Sequence, residues 1–152
     1  EQLSVLYNSV DCTINISDAE GFGLATLESL ATETPIIVNM TGGLQEQVTD
    51  GKEWFGIGIE PSSRSIIGSQ EVPWIYEDRI RGQDLVDAMV KIYEMSDEDR
   101  ATLGKKGRRH VMNNYSMKKY VSSWEKLLED TYKKYGSWES MDRKNWSIQK
   151  VL

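Results

Sequence analysis

Short apolar runs alternate with helically spaced apolar residues in the first part of the chain. The pattern predicts the end of a helix over residues 3–9, a β-branched strand over residues 12–17 and a helix over residues 24–32. A second apolar strand follows over residues 35–39. Roughly 20 residues separate the two strand starts, which favours parallel strands with a right-handed crossover and both faces covered. The sequence therefore predicts an α/β fold.

Weaker patterns follow, and the last third of the chain is helical. The predicted elements are a short helix over 44–48, a strand over 56–59, an exposed loop over 62–70, a brief extended segment over 74–76 and three helices that begin after Gly82, at Ser96 and at Ser116. Ser96 opens a capping sequence, and Gly136 ends the last helix. We read residues 1–135 as one partial domain, and residues 136–152 as a tail that docks on another domain.

Composition narrows the classes of function. The chain has 152 residues and a net charge of -6, which argues against a nucleic-acid or anionic-membrane partner because both need a basic surface. The single cysteine, Cys12, cannot form an internal disulfide, and no apolar run approaches the roughly 20 residues that span a bilayer. We therefore expect a cytoplasmic protein without a transmembrane segment, whose partner is a small molecule or a protein.

Two glycines and two glutamates lie where the first strand gives way to the following helix. In open α/β sheets, ligands bind at the carboxyl ends of strands. The first amides of a helix have no partner within it, so with the helix dipole they form a site for a phosphate. Gly21 and Gly23 let a ligand approach the backbone closely. Glu20 and Glu28 would accept hydrogen bonds from neutral sugar hydroxyls on either side of the phosphates.

These two glutamates carry a specific resemblance. Separated by seven residues within Glu-Gly-Phe-Gly-Leu-Ala-Thr-Leu-Glu, they resemble the paired-glutamate motif of retaining glycosyltransferases with the GT-B fold, of the group 1 or family 4 type. The flanking segments that resemble the same family are Tyr7-Asn8, Asp11, Gly42-Gly43-Leu44-Gln45-Glu46, Asp50-Gly51, Gly56 and Tyr115-Ser116. The resemblance implies a Rossmann-like parallel sheet with flanking helices, the C-terminal half of a nucleotide-sugar-binding domain.

The resemblance also assigns roles. Glu20, the candidate catalytic residue, would contact hydroxyls of the transferred sugar and position the donor rather than attack it, while Glu28 would hold the ribose. The residues whose backbone would meet the sugar and the diphosphate are Gly21, Phe22, Gly23, Leu24 and Ala25. The possible donor-site loop, which is otherwise only a turn, consists of Gly42, Gly43 and Glu46.

The implied donor is a UDP- or GDP-linked hexose, and the family implies neither a metal nor another cofactor. The acceptor, a sugar or glycoconjugate, would bind an N-terminal domain upstream of residue 1. The family's basic diphosphate clamp would come from the first strands of the nucleotide-binding domain, which would also lie before residue 1. We therefore expect residues 1–152 alone to be inactive as a transferase.

Two positions depart from the family pattern. Proline is usual where Ala25 stands, but proline in a first helical turn only preorganises it, so alanine is tolerated. Glycine is usual where Glu33 stands, because it takes a left-handed helix cap that costs another residue roughly 1 kcal/mol. We predict either a positive φ at Glu33 or a helix end without this cap.

Several other features have simple interpretations. Residues 97–99 mimic an Asp-x-Asp metal motif, but they follow a capping serine and favour the helix dipole. His110 has no Cys or His partner in the sequence, so a surface or packing role is favoured over catalysis. Cys12 is expected to be a buried small hydrophobe. The basic residues between 105 and 109 are expected to form a solvated helix face, with a charged partner as the less favoured alternative. The aromatic pair Tyr120 and Trp124 is expected to pack in a core or between domains.

Two alternatives to a transferase remain. The first is a non-catalytic module of the same fold that binds a sugar nucleotide or assembles with partner subunits. The second is a nucleotide-sugar epimerase, which is disfavoured because no acid and base pair is evident beyond the two glutamates.

Overall fold

The computed structural model describes residues 2–137. They fall into two compact units, the first ending at Tyr115 and the second beginning at Ser116. The elements of the first unit are α1 (Gln2–Asn8), β1 (Thr13–Asn15), α2 (Leu24–Ala31), β2 (Ile36–Asn39), α3 (Leu44–Val48), β3 (Ile57–Ile59), β4 (Ser63–Ile67), β5 (Ile75–Arg79), α4 (Gly82–Glu94) and α5 (Asp97–Asn114). The described part of the second unit contains α6 (Met117–Tyr135).

A parallel three-stranded sheet forms the centre of the first unit. Its strand order is β1-β2-β3, with Thr13 opposite Ile36 and Ile37 opposite Ile57. Every residue of β2 is buried, as expected for a parallel strand covered on both faces. The predicted α/β fold with a parallel sheet is confirmed, and β1 forms one edge of the described sheet.

The alternating side chains of β2 separate two apolar clusters. Ile36 and Val38 pack with residues from α2, α3 and α5, whereas Ile37 packs with Ile59 and with residues of α4. Successive side chains of a strand point to opposite faces, so each cluster fills one side of the sheet. Full burial of each such side chain stabilises the fold by about 1.5–3 kcal/mol.

A Schellman cap ends α2. Glu33 has a φ of 64°, its amide donates to the carbonyl of Leu30 over 3.1 Å, and the amide of Thr34 donates to that of Ser29 over 3.1 Å. This pair of bonds defines the motif. The first of the two outcomes predicted for Glu33, a positive φ, is therefore confirmed.

The exposed loop predicted over residues 62–70 is wrong for its first half. Strands β4 and β5 form an antiparallel hairpin in which Ile66 lies opposite Tyr76 and Ile67 opposite Ile75. Most of the hairpin is exposed, so its sequence has no apolar face of the kind that identifies a half-buried strand. Cross-strand pairing, which periodicity does not reveal, holds it together.

The two long predicted helices begin at their predicted caps. The hydroxyl of Ser96 accepts from the amide of Asp99 over 3.1 Å, and that of Ser116 accepts from Lys119 over 3.3 Å. No described residue of α6 is buried, so core packing is wrong for Tyr120 and Trp124, whose rings meet edge to face at 6.2 Å. Their interdomain packing stays a prediction. The predicted docking tail lies, from residue 138 onward, outside the described residues.

Packing explains His110. Its ring is buried and stacks on Phe55 with centroids 4.2 Å apart, which confirms the packing role.

Cys12 is only half-buried, because it directly precedes the edge strand β1. Its thiol donates to the carbonyl of Thr13 over 3.3 Å. No helix among residues 2–137 is long and apolar enough to cross a membrane.

The basic face of α5 is largely exposed, as predicted, and it also forms ion pairs. Lys106 and Arg109 lie 3.7 and 3.6 Å from the carboxylate of Glu53, and Arg108 lies 3.8 Å from that of Glu33. These partners come from loops that the fold brings beside α5, and sequence spacing alone does not show that proximity.

Candidate functional site

The amino end of α2 opens at the carboxyl end of β1. Gly23 has a φ of 84° and carries no side-chain cap, and a Cβ at this position would lie 2.6 Å from Leu44 Cδ2. Its backbone conformation therefore favours glycine, and a Cβ there would also displace the end of the Leu44 side chain. The amides of Thr26 and Leu27 donate to the Gly23 carbonyl over 3.2 and 3.4 Å, so α2 satisfies its own amides only from Thr26 onward.

The amides of Phe22, Leu24 and Ala25, which precede Thr26, differ in whether they have a hydrogen-bond acceptor. Within residues 2–137, the amides of Leu24 and Ala25 have no acceptor, and both residues are exposed. The amide of Phe22 donates to Glu20 Oε1 over 3.4 Å, so in this structure it is already engaged. The predicted phosphate-binding amides of Leu24 and Ala25 are thus open to solvent, whereas that of Phe22 would first have to leave Glu20.

Asn15 connects the end of β1 to the bend, the segment of residues 16–23 that leads into α2. Its Oδ1 accepts from the amide and the hydroxyl of Ser17 over 3.2 and 2.8 Å. Its Nδ2 donates to Thr26 Oγ1 over 3.4 Å. The bend therefore starts from a side chain that also contacts the first turns of α2.

Gly42 and Gly43 pack directly against this bend. The Gly43 amide donates to the Glu20 carbonyl over 3.2 Å, and a Cβ at Gly43 would lie 2.8 Å from Gly21 O and 2.9 Å from Phe22 Cα. A Cβ at Gly42, whose φ is 47°, would overlap the Glu20 carbonyl. Glycine is needed at both positions because two backbones meet here. Whether they also contact a donor stays a prediction.

The side chain of Gln47 holds the bend by a hydrogen bond, a role that the sequence did not reveal. It lies on α3, is fully buried and donates from Nε2 to the carbonyl of Phe22. Its Oε1 has no partner within the described residues. A polar residue at a core-facing position of a short helix is a signal that could have pointed to it.

Glu28 lies along the exposed side of α2. Its Oε2 accepts from the hydroxyl of Tyr7, which lies on α1, over 3.1 Å. Burial, followed by the hydrogen bond to Glu28, raises the pKa of Tyr7, so the phenol stays protonated and remains a donor at neutral pH. Tyr7 thus orients Glu28, a contact that the sequence did not reveal.

Glu46, the third residue of the possible donor-site loop, is exposed on α3. Its backbone carbonyl accepts from Tyr115 OH over 3.4 Å and lies 3.0 Å from His110 Nε2. The ring of Tyr115 meets that of Phe22 edge to face at 6.1 Å. These contacts give the Glu46 backbone a packing role, while contact of its carboxylate with a donor stays a prediction. No group of three His, Cys, Asp or Glu side chains within residues 2–137 is arranged to hold a metal.

Comparison with known proteins identifies the family. The model of the family "Glycosyl transferases group 1" matches residues 1–110. A D-inositol 3-phosphate glycosyltransferase of Salinispora tropica is 29% identical over 136 residues, which cover 90% of this chain and 22% of that protein. A trehalose synthase of Thermococcus litoralis is 23% identical over 129 residues, covering 84% of this chain and 25% of that protein.

A solved structure supports the fold. Sucrose-phosphate synthase from Thermosynechococcus elongatus superposes with a TM-score of 0.63 at 24% identity, over 88% of this chain and 28% of that one. The chain thus spans about a quarter of the length of these relatives. Since the family model covers more than two thirds of its residues, the chain belongs to the glycosyl transferases group 1 family and forms part of a GT-B fold.

Proposed function

We propose that this chain provides the donor-binding part of a retaining glycosyltransferase that transfers a hexose from a UDP- or GDP-linked sugar to a sugar or glycoconjugate acceptor. One observation carries the proposal: the unpaired amides of Leu24 and Ala25 open at the carboxyl end of the sheet, between one glutamate in the bend and another along the helix. Family membership supports the transferase class.

The diphosphate is the natural ligand of these amides. Backbone N–H groups at a helix start are fixed donors, and the helix dipole adds positive potential there. As the bond to the sugar breaks, negative charge grows on the leaving phosphate, and donors already in place stabilise that charge without reorganising. Leu24 and Ala25 would therefore contribute both to donor binding and to the transfer step.

The two glutamates would bind the two neutral parts of the donor, the ribose and the transferred sugar. Glu28, held by Tyr7, would accept from ribose hydroxyls. Glu20 would exchange its long 3.4 Å bond with the Phe22 amide for hydroxyls of the transferred sugar, which also frees that amide for the donor. Retention would follow front-face attack, with the leaving phosphate helping to deprotonate the acceptor and Glu20 positioning the sugar.

Calorimetric titration of the full-length protein tests the proposal. Glu28→Ala should lower the affinity for the nucleoside diphosphate and for the nucleotide sugar by the same factor, about tenfold or more, because a charge-assisted hydrogen bond contributes about 1.5–3 kcal/mol. Glu20→Gln should lower only the affinity for the nucleotide sugar, because the diphosphate alone lacks the hexose.

Glu94→Gln is the matched control, since it removes an exposed carboxylate on α4 to which no contact with the donor is assigned. Its affinities should equal those of the unaltered protein. If Glu28→Ala binds every UDP- and GDP-linked ligand as well as this control does, donor recognition by Glu28 is excluded and an assembly role is favoured.

A further inference from the structure

The base of the β4–β5 hairpin contacts both loops that build the candidate donor site. The backbone amide of Asp78, on β5, donates to the carbonyl of Asp18 over 2.7 Å. Its side chain accepts from Thr41 Oγ1 over 2.9 Å. Asp18 lies in the bend that carries Glu20, and Thr41 precedes Gly42. A single hairpin residue therefore touches the loop after β1 and the loop after β2.

Buried polar groups surround this contact. Asn39, the last residue of β2, is fully buried, and its Nδ2 donates to the carbonyls of Ser17 and Asp78 over 2.9 and 2.6 Å. The carboxylate of Asp78 is 10% exposed and pairs with Arg64 of β4 over 2.5 Å. The Arg64 hydrogen bond, more than that of Thr41, holds the pKa of Asp78 below its ordinary value against desolvation, which raises it. Asp78 is therefore a buried, ionised acceptor.

Thr41 is linked to Glu20 through the glycine loop, which consists of Gly42 and Gly43. Thr41 is 4% exposed, and its neighbours Gly42 and Gly43 lie against Glu20 so closely that a Cβ at either would clash with the bend. The Gly43 amide also bonds to the Glu20 carbonyl over 3.2 Å. Because the two backbones touch, a shift of the glycine loop moves the bend with it.

We propose that Thr41 and Asp78 are positioning residues that hold Glu20 in the conformation that receives the transferred sugar. The inference rests on the proposed function, and it assigns to the hairpin a role in sugar recognition that does not involve the nucleotide. Glu28 lies outside this chain of contacts, since its partner is Tyr7. Loss of the Thr41–Asp78 bond should therefore weaken recognition of the sugar and leave recognition of the ribose intact.

Thr41→Val tests the proposal in the full-length protein, because valine keeps the shape of threonine and removes its hydroxyl. Thr41→Ser restores the hydroxyl. Thr49→Val is the matched control, since Thr49 also donates its hydroxyl to a loop, to the carbonyl of Glu53 over 2.7 Å. Should Thr41→Val fail to fold, Thr41→Ala, in which water can take the place of the hydroxyl, replaces it.

Two readouts are measured on each variant: amide hydrogen exchange of residues 17–23, and the affinities for UDP, UDP-glucose, GDP and GDP-mannose. Thr41→Val should speed exchange in residues 17–23 and weaken binding of the preferred nucleotide sugar by about tenfold, the loss expected for one buried hydrogen bond. The affinity for the matching diphosphate should change less than about twofold. Thr41→Ser and Thr49→Val should behave as the unaltered protein in both readouts.

The proposal is overturned if exchange in residues 17–23 is unchanged in Thr41→Val, or if the nucleotide sugar and the diphosphate lose affinity by the same factor. If the unaltered protein binds none of the four ligands, the proposed function fails instead. The exchange data then decide by themselves whether the Thr41–Asp78 contact holds the Glu20 bend.

Discussion

Glu33 ends α2 in a backbone conformation that glycine adopts at little cost. Its φ of 64° costs a residue with a side chain about 1–2 kcal/mol. Glycine would avoid this cost, but its greater freedom in the unfolded chain would offset about 0.5–1 kcal/mol of the gain. Glu33→Gly also loses the 3.8 Å ion pair with Arg108, whose two side chains are 44% and 49% exposed. Such a solvated pair contributes about 0.3 kcal/mol. The net expectation is a gain of about 0.5 kcal/mol.

Differential scanning calorimetry of the full-length protein measures this gain as a rise in Tm of about 1–3 °C for the transition that contains α2. Two controls separate the contributions. Glu33→Gln keeps the left-handed backbone and loses only the ion pair, so its Tm should fall slightly. Glu98→Gly places glycine in the first turn of α5, where it should cost about 0.5–1 kcal/mol in helix propensity and about 0.3–1 kcal/mol in lost interaction with the helix dipole. A Glu33→Gly variant that loses as much stability as Glu98→Gly would refute the argument from backbone strain.

Three further predictions concern single side chains. Gly104→Ala places a Cβ against a backbone carbonyl and should lower the free energy of unfolding by about 1–3 kcal/mol, whereas Gly82→Ala, which meets nothing within 4 Å, should change it little in urea titrations. Burial raises the pKa of the Cys12 thiol from 9.0 to about 11. Because only the thiolate reacts, alkylation by iodoacetamide at pH 8 should be about a hundredfold slower than that of a free cysteine peptide and should still be rising above pH 10; a plateau near pH 9 would contradict the burial argument. Tyr7→Phe frees the Glu28 carboxylate and should weaken nucleoside diphosphate binding about three- to tenfold, an effect that calorimetry measures and that equal affinities would exclude.

The central sheet could be predicted because its signal is local. The run from Ile36 to Val38 is apolar without interruption, as a strand covered on both faces requires. A left-handed cap at Glu33 was one of the two outcomes predicted for this helix end, from the glycine that is usual at the position in the family. In both cases the residues that determine the structure are neighbours in the sequence.

The hairpin and the support of the bend could not be predicted in this way. Arg64 and Asp78 are far apart in the sequence, and their strands are too exposed to show an apolar face. The contact of Gln47 with Phe22 joins α3 to the bend, and that of Tyr7 with Glu28 joins α1 to α2. Such contacts depend on how elements pack, which periodicity does not encode. The glutamates themselves were found from the motif, while the groups that hold them were found only in the structure.

Amide chemical shifts test most directly whether the start of α2 binds the diphosphate. The full-length protein, labelled with ¹⁵N-leucine, ¹⁵N-alanine and ¹⁵N-glycine, would be titrated with UDP- and GDP-linked hexoses and followed by NMR. The amides of Leu24 and Ala25 should show large, saturable shifts, while those of Gly82 and Leu85, at the start of α4, should not move. Saturable binding that leaves Leu24 and Ala25 unshifted would place the donor elsewhere and contradict the account.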